Sequence, residues 1–450
     1  MVTGAQRSNH GKESNDRMIT LEGIFSPGNL KLAVEQVQAN KGAPGIDGLT
    51  CDDIQQWFYD HPYELTNAIK NGTYKPLPIR RVYIPKDNGE KRPLGIPSVV
   101  DRVVQQAIAQ TLSAEYDRTF SENSYGFRPN RGAHDAVKAI NGYLNEGYTF
   151  VVDIDLAKFF DTVSHGKILR LLSERIKDGR VISLINKILT TKIIDGKTVI
   201  KPKTGLTQGA PCSPVLANIL LDLLDKELER RGHKFARYAD DLIIVCKSMK
   251  SAERTFESIK KFIEEKLLLK INTEKSKVQA ITPEIKFLGF AFYKVQTKGT
   301  DKTKYRPIVH SKSKRKLVDK LRNTFLRRKY AQKIDEIKEK LTKYLMGWSH
   351  YFALGITKSN MDKVEAWMRH KIRVLYMKIW KKNKTKEDKL VGFKTNSKER
   401  CHTIAHSSLG IWAKALFANF AMTNKVIHEI MGWPSITRIV QTKAWTILGY

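Results

Sequence analysis

Cysteine is scarce. The four in this 450-residue chain, Cys51, Cys212, Cys246 and Cys401, show no paired spacing. That excludes a disulfide framework and a cysteine zinc site, and reads as reduced cytosolic thiols. Long apolar runs are missing as well. None approaches the roughly 20 residues of a membrane-spanning helix, so no membrane partner is expected. Residues 1–17 hold neither a hydrophobic stretch nor a cleavage site, and a disordered tail over 1–20 is expected. Acid is in deficit: 46 Asp+Glu stand against 79 Lys+Arg, a net charge of +33. Such an excess calls for a polyanionic partner. It is uneven, with 30 Lys+Arg and 10 Asp+Glu between Asp301 and Arg400, +20 of the +33. A solvated basic face is the bland explanation; asymmetry of this size favours nucleic acid.

Against that background the few well-placed acids stand out. Tyr238-Ala239-Asp240-Asp241 lies between two short apolar runs, in FARYADDLIIV. The runs read as strands and the step between them as a tight hairpin turn. Two adjacent carboxylates repel unless a cation sits beside them, and Mg²⁺ takes such oxygen ligands together with substrate phosphates. Alone, the motif is usually a solvated turn. Upstream, FVVDIDLAKFFD places Asp155 at the end of a buried-strand pattern over Phe150–Ile154. One carboxylate from a strand end and two from a neighbouring hairpin make a ligand set for two-metal phosphoryl transfer.

These blocks fall into a longer ordered series. It starts with GIFSPGNLKLAVEQVQANKGAPGIDG, RRVYIPKDNGEKRPLGIPSVVDRVVQQAI and SYGFRPNRGAHDA. It continues through VVDIDLAKFFDTVSH, GLTQGAPCSPVLANILLDLLDKEL, RYADDLIIV, LLLKINTEKSKV and IKFLGF. In this order they resemble the bacterial group II intron reverse transcriptases, or maturases. The resemblance implies an α+β right-hand polymerase, with fingers and palm built on antiparallel sheet, followed by an α-helical thumb or X domain. The expected divisions are an N-terminal extension of the fingers over 21–78, fingers and palm over 79–304, thumb over 305–383 and a C-terminal DNA-binding region over 384–450. The last begins with a Lys-rich stretch that reads as a linker. It shows no paired cysteines and no His-Asn-His pattern, as in the short endonuclease-free members.

Local patterns supply expected elements. A strand over Arg80–Ile84 meets a turn at Asp87-Asn88-Gly89. A helix over Asp101–Tyr116 is capped by Asp101. Further helices span Ile168–Ile176, Val181–Leu189, Pro214–Arg230 and Ala252–Leu268, the last before a strand containing Lys270-Ile271-Asn272. Basic helices span Lys312–Arg328, Ala331–Tyr351 and Met361–Lys381.

The resemblance also implies roles. Asp155, Asp240 and Asp241 bind two Mg²⁺ ions, with the backbone of Leu156 beside them. Phe160, five residues after Asp155, stacks under the incoming deoxyribose and excludes a 2′-hydroxyl. Lys86 and Arg92 flank the fingers turn and grip the triphosphate of a dNTP, Arg being suited to bidentate phosphate contacts. Gln208 and Gly209 lie beside the nascent base pair; here Thr207 and Ala210 depart from the commoner form of that loop. Lys275 protonates the departing pyrophosphate, and Gly289 belongs to a primer-grip turn. Lys314, Arg315, Arg327 and Arg328 bind nucleic acid. Asp153 and Asp161 serve structure. The implied partners are an RNA template with a DNA primer, dNTPs, the group II intron RNA whose splicing the protein assists, and target DNA. Two rivals remain open: a nonenzymatic splicing maturase, and a domesticated reverse transcriptase of defence or repair.

Overall fold

A two-residue turn joins two short strands that are buried along most of their length, and this hairpin belongs to a four-stranded sheet. In the computed structural model, which describes residues 18–85, 89–296, 303–325 and 334–447, the chain forms two compact units. One comprises residues through Ala139 with Tyr148–Ala280, the other Ile140–Gly147 with Ile281 onward.

The first unit holds two four-stranded sheets. The strands β1 (Ile79–Pro85) and β2 (Lys91–Ile96) form an antiparallel hairpin in which Ile84 opposes Arg92. Strands β3 (Phe150–Ile154), β4 (Ile193–Asp195) and β5 (Thr198–Ile200) follow, and β4 extends the first sheet by pairing parallel to β1. The second sheet has the order β6-β7-β3-β8, with β6 at Lys234–Tyr238, β7 at Asp241–Cys246 and β8 at Lys277–Ala280; every pairing is antiparallel. The helix Ser213–Arg230 lays Leu216, Leu220, Leu221, Leu224 and Leu228 into the core at three- and four-residue spacing.

Three local expectations are corrected. The helix expected to start at Asp101 runs over Val99–Tyr116, and its cap is Ser98, whose Oγ accepts from Asp101 N at 3.0 Å. Asp101 instead turns inward and accepts from Tyr74 Oη and from Leu77 N. The helix expected over Ala252–Leu268 starts earlier, at Met249, and its last turn widens over Ile263–Leu267, ending at Leu268 with φ 58°. The strand expected at Lys270-Ile271-Asn272 shrinks to a single bridge between Ile271 and Leu156. Ala157 N donates to Lys270 O and Asn272 N to Asp155 O, after which the chain turns, so the edge strand forms later, as β8.

In the second unit, β9 (Phe290–Gln296) and β10 (Thr303–Val309) form an antiparallel hairpin. Helices span Ser311–Lys320, Ile334–Tyr351 and Lys358–Ile379; Thr357 and Asn360 close a reciprocal capping box on the last. The helix at Ser311 continues into a wider turn over Leu321–Phe325, and its expected end at Arg328 lies outside the described residues. Phe352 packs against Phe290 and Trp348 at 5.2 and 4.7 Å between ring centres. The Lys-rich start of the C-terminal region is a helix, Asn383–Gly392, rather than a linker. Leu390, Lys386 and Glu387 are buried there, so one face is packed despite the lysines.

Candidate active site

The turn between β6 and β7 requires a left-handed residue, and Ala239 supplies it with φ 58°. Its conformation is fixed from outside. A Cβ on Gly126 would stand 2.3 Å from Ala239 N, so only glycine lets the SYGF segment press against the turn. That segment also joins β6 directly: Arg237 N donates to Asn123 O, and Tyr125 N to Arg237 O. The Arg237 side chain is buried. It donates to Asp225 Oδ1, Asn218 Oδ1, Ala239 O and Ser124 Oγ at 2.7–3.0 Å. One guanidinium thus ties the hairpin to the helix Ser213–Arg230 and to residue 124.

Asp155 follows β3. The register pairs Ile154 with Leu242, which carries Asp155 to the position opposite Asp241. Its backbone N donates to Ser276 Oγ at 3.0 Å, and its carbonyl accepts from Asn272 N at 2.8 Å. The side chain of Leu156 is buried in the core behind it. Lys275 Nζ stands 3.7 Å from Asp155 Oδ2, so the expected proton donor and the expected metal ligand are neighbours.

The acids strain one another electrostatically. Burial pushes the Asp240 carboxyl up; the charge of Asp155 adds to this, while Arg92 and Arg237 oppose it. Asp153, read from sequence as structural, takes part too. Burial, then the charges of Asp241 and Asp155, push it up to about 6. Two-residue periodicity puts Asp153 and Asp155 on one face of β3, which was the available signal. Concentrated carboxylates of this kind are a hard-cation donor set, and they fit a divalent metal in the manner of polymerases. The three expected ligands are not drawn tightly together. Among the described residues, the one trio of ligating side chains whose donor atoms lie within 4.8 Å of one another is Glu387, His402 and His406.

Beside the acids lies a cavity of about 490 Å³ whose lining includes Arg92, Phe160, Gln208, Gly209 and Asp240. Arg92 Nε donates to Gln208 Oε1 at 2.6 Å, which joins two residues expected to touch the nucleotide. The loop carrying Gln208 is locked to β2, because Gly95 N donates to Gln208 O at 2.8 Å. Thr207, the departure from the common loop, leans on Gly95: a Cβ there would lie 2.4 Å from Thr207 Cγ2. The Thr207 carbonyl accepts from Ser213 Oγ at 2.7 Å and Ala210 N at 3.2 Å, so both atypical residues are integrated into the turn. Phe160 is oriented by its backbone. Leu206 N donates to Phe160 O at 2.6 Å, and Gly205 adopts φ +97° against the same carbonyl. The backbone carbonyl of Asp161 accepts from Thr204 Oγ1.

Other expected site residues fall elsewhere. Lys86, Arg327 and Arg328 lie outside the described residues. Gly289, Lys314 and Arg315 belong to the second unit. There Gly289, at φ +84°, accepts on its carbonyl from His310 N and Ser313 Oγ, with Phe352 3.0 Å from where a Cβ would be. Arg315 is exposed and Lys314 half-buried on the following helix. No helix among the described residues is long and apolar enough to cross a membrane.

Comparison with known proteins supplies the family. Residues 84–292 match the family model described as reverse transcriptase (RNA-dependent DNA polymerase), and residues 314–391 match the group II intron maturase-specific domain. Protein YkfC of Escherichia coli K12 is 32% identical over 306 residues, 59% of this chain and 80% of that protein. The group II intron-encoded protein LtrA of Lactococcus lactis subsp. cremoris is 29% identical over 362 residues, 66% of this chain and 60% of LtrA. A putative COX1/OXI3 intron 2 protein of Saccharomyces cerevisiae is 28% identical over 361 residues, covering 67% of this chain and 42% of the yeast protein. Reverse transcriptases as a class depend on divalent metal. With a polymerase domain followed by a maturase domain, this chain belongs to the group II intron-encoded reverse transcriptases and maturases.

Proposed function

We propose that this protein is the RNA-directed DNA polymerase of a group II intron, copying RNA into cDNA and binding its intron RNA to assist splicing and mobility. The observation that carries the reading is the cavity that Arg92, Phe160, Gln208 and Asp240 line together. A dNTP in that cavity meets a cation for its phosphates, an aromatic ring for its sugar and a carboxylate for the reacting centre.

The reaction joins the primer 3′-oxygen to the α-phosphorus and breaks the bond between that phosphorus and the bridging oxygen. When bound, two Mg²⁺ ions on Asp155, Asp240 and Asp241 supply charge neutralisation at the attacking and leaving oxygens. Arg92 grips the triphosphate in a planar fork, and Lys86 adds a second cation. The link from Arg92 to Gln208 couples phosphate binding to the loop beside the base pair. Phe160 stacks under deoxyribose and blocks a 2′-hydroxyl. Lys275, held near Asp155, releases a proton to the departing pyrophosphate.

Residues 21–78 extend the fingers, 79–304 are fingers and palm, 305–383 the thumb and 384–450 a DNA-binding region for the target site. Gly289 places the primer end. Lys314, Arg315, Arg327 and Arg328 bind intron RNA through phosphates, so affinity falls steeply with salt. The bacterial cytoplasm is the compartment where intron, target DNA and dNTPs meet.

Primer extension on a structured RNA template, beside the Asp240→Ala/Asp241→Ala double variant, tests this. Extension by wild type alone, with RNA affinity retained in the variant, is expected. A folded wild type that binds intron RNA and does not extend a primer would make the protein a nonenzymatic maturase.

A further inference from the structure

Away from the acids, two short helices of the second unit bring unlike ligating groups together. His402 and His406 are four residues apart on the helix Lys398–His406, and so share one face. That face meets Glu387 of the helix Asn383–Gly392. The Glu387 side chain is buried, 7% exposed, while those of His402 and His406 are 57% and 38% exposed. Glu387 Oε2 stands 3.2 Å from His402 Nδ1 and 3.1 Å from His406 Nε2. The two imidazoles stack, with centroids 4.3 Å apart and planes 18° from parallel.

We propose that Glu387, His402 and His406 form a binding site for a divalent cation of the zinc class. Two ring nitrogens and one carboxylate oxygen converge on a common point, as two bridging protons or one metal ion can satisfy. In a tetrahedral site with bonds of about 2.0 Å, neighbouring ligand atoms are about 3.3 Å apart. The separations of 3.1 and 3.2 Å match that edge, and all three donor atoms lie within 4.8 Å of one another. Nitrogen with a single carboxylate selects a late first-row ion over Mg²⁺, which prefers an oxygen shell. The half-exposed histidines leave a path for the ion and a fourth position for water. The bound ion pins the helix Lys398–His406 onto Asn383–Gly392 and so fixes a segment containing Lys398 and Arg400. The sequence signal is a His-x-x-x-His spacing on a helix, which a search for paired cysteines passes over.

The test uses the full chain stripped of metal with a chelator and then titrated with Zn²⁺ against a chromophoric competitor. Wild type is expected to hold one ion more per chain than His402→Gln/His406→Gln, with affinity at that site at least about tenfold above the variant's. Zn²⁺ should raise the melting temperature of wild type and leave that of His402→Gln unchanged. His402 is mostly exposed, so this single variant is the one expected to fold. X-ray absorption on the zinc-loaded wild type decides independently of any variant: scattering from two imidazole ligands supports the site. An all-oxygen shell would place the ion on the aspartates and overturn it. Equal zinc uptake by wild type and folded double variant would overturn it as well.

Discussion

Arg237 and Asp225 form an ion pair with side chains 1% and 0% exposed, and Arg237 uses its remaining donors on Ser124, Asn218 and the carbonyl of Ala239. The pair is a joint rather than a surface decoration. Removing one partner leaves the other charge buried and unmatched, which costs about 3–5 kcal/mol. Arg237→Ala and Asp225→Ala should each lose stability of that order in urea denaturation. The double variant should lose less than the sum of the singles, because no orphan charge remains.

Gly126→Ala separates geometry from stability. A methyl group there meets the backbone of the turn at 2.3 Å, with no flexible side chain to move aside. The β6–β7 turn must shift, and Asp240 and Asp241 with it. Primer extension should fall at least tenfold, while circular dichroism and RNA affinity stay near wild type. Undiminished extension would show that the turn tolerates the displacement.

Phe160 is the expected discriminator of the sugar. Phe160→Ala should narrow the preference for dNTP over rNTP by at least tenfold in kcat/KM, worth about 1.4 kcal/mol. The effect should appear mainly as improved use of rNTP. Single-nucleotide incorporation on one template measures both substrates directly.

The 2.6 Å contact between Arg92 and Gln208 predicts coupling. Arg92→Ala and Gln208→Ala should each raise KM for dNTP. A double-mutant cycle should return a coupling of about 0.5–3 kcal/mol. A value near zero would mean that the contact does not persist when nucleotide binds.

Stability should respond to pH through Asp222. Burial, helped by the charge of Asp225, pushes this carboxyl up to about 6. The folded state therefore holds its proton where the unfolded chain has released it. Asp222 favours folding at low pH, and that contribution is lost as pH rises from about 4 to about 6. Asp222→Asn should gain on wild type across that window, by on the order of 2–3 kcal/mol in full. Chemical denaturation of both proteins at pH 4.5 and pH 7 measures the change.

What could be read in the sequence was local. The tight turn at Tyr238–Asp241, the strand leading to Asp155 and the helical spacing of Leu216 to Leu228 each follow from neighbours a few residues apart. Ser98 and Asp101 are both good caps, and only the buried position of Tyr74 decides between them. Strand alternation puts Asp153 on the side of Asp155, but its burial depends on the sheet around it. The helix at Asn383 was hidden by its lysines, since the burial of Glu387 depends on a second helix. The Arg237–Asp225 pair was out of reach, because nothing in a strand arginine announces which helix it will enter.

The reach of Arg237 bears on when this molecule becomes competent. A hairpin can close within microseconds from its own residues, yet this one is oriented by Asp225 and by Ser124, which is 113 positions away in the chain. The acids therefore come to order only as the distant segments arrive. A chain in which the helix Ser213–Arg230 or the segment around Ser124 has not yet docked presents a turn without its anchor, and its carboxylates remain ordinary surface charges. Docking of these segments is the arming step, so that incompletely folded copies should neither consume nucleotides nor extend a strand.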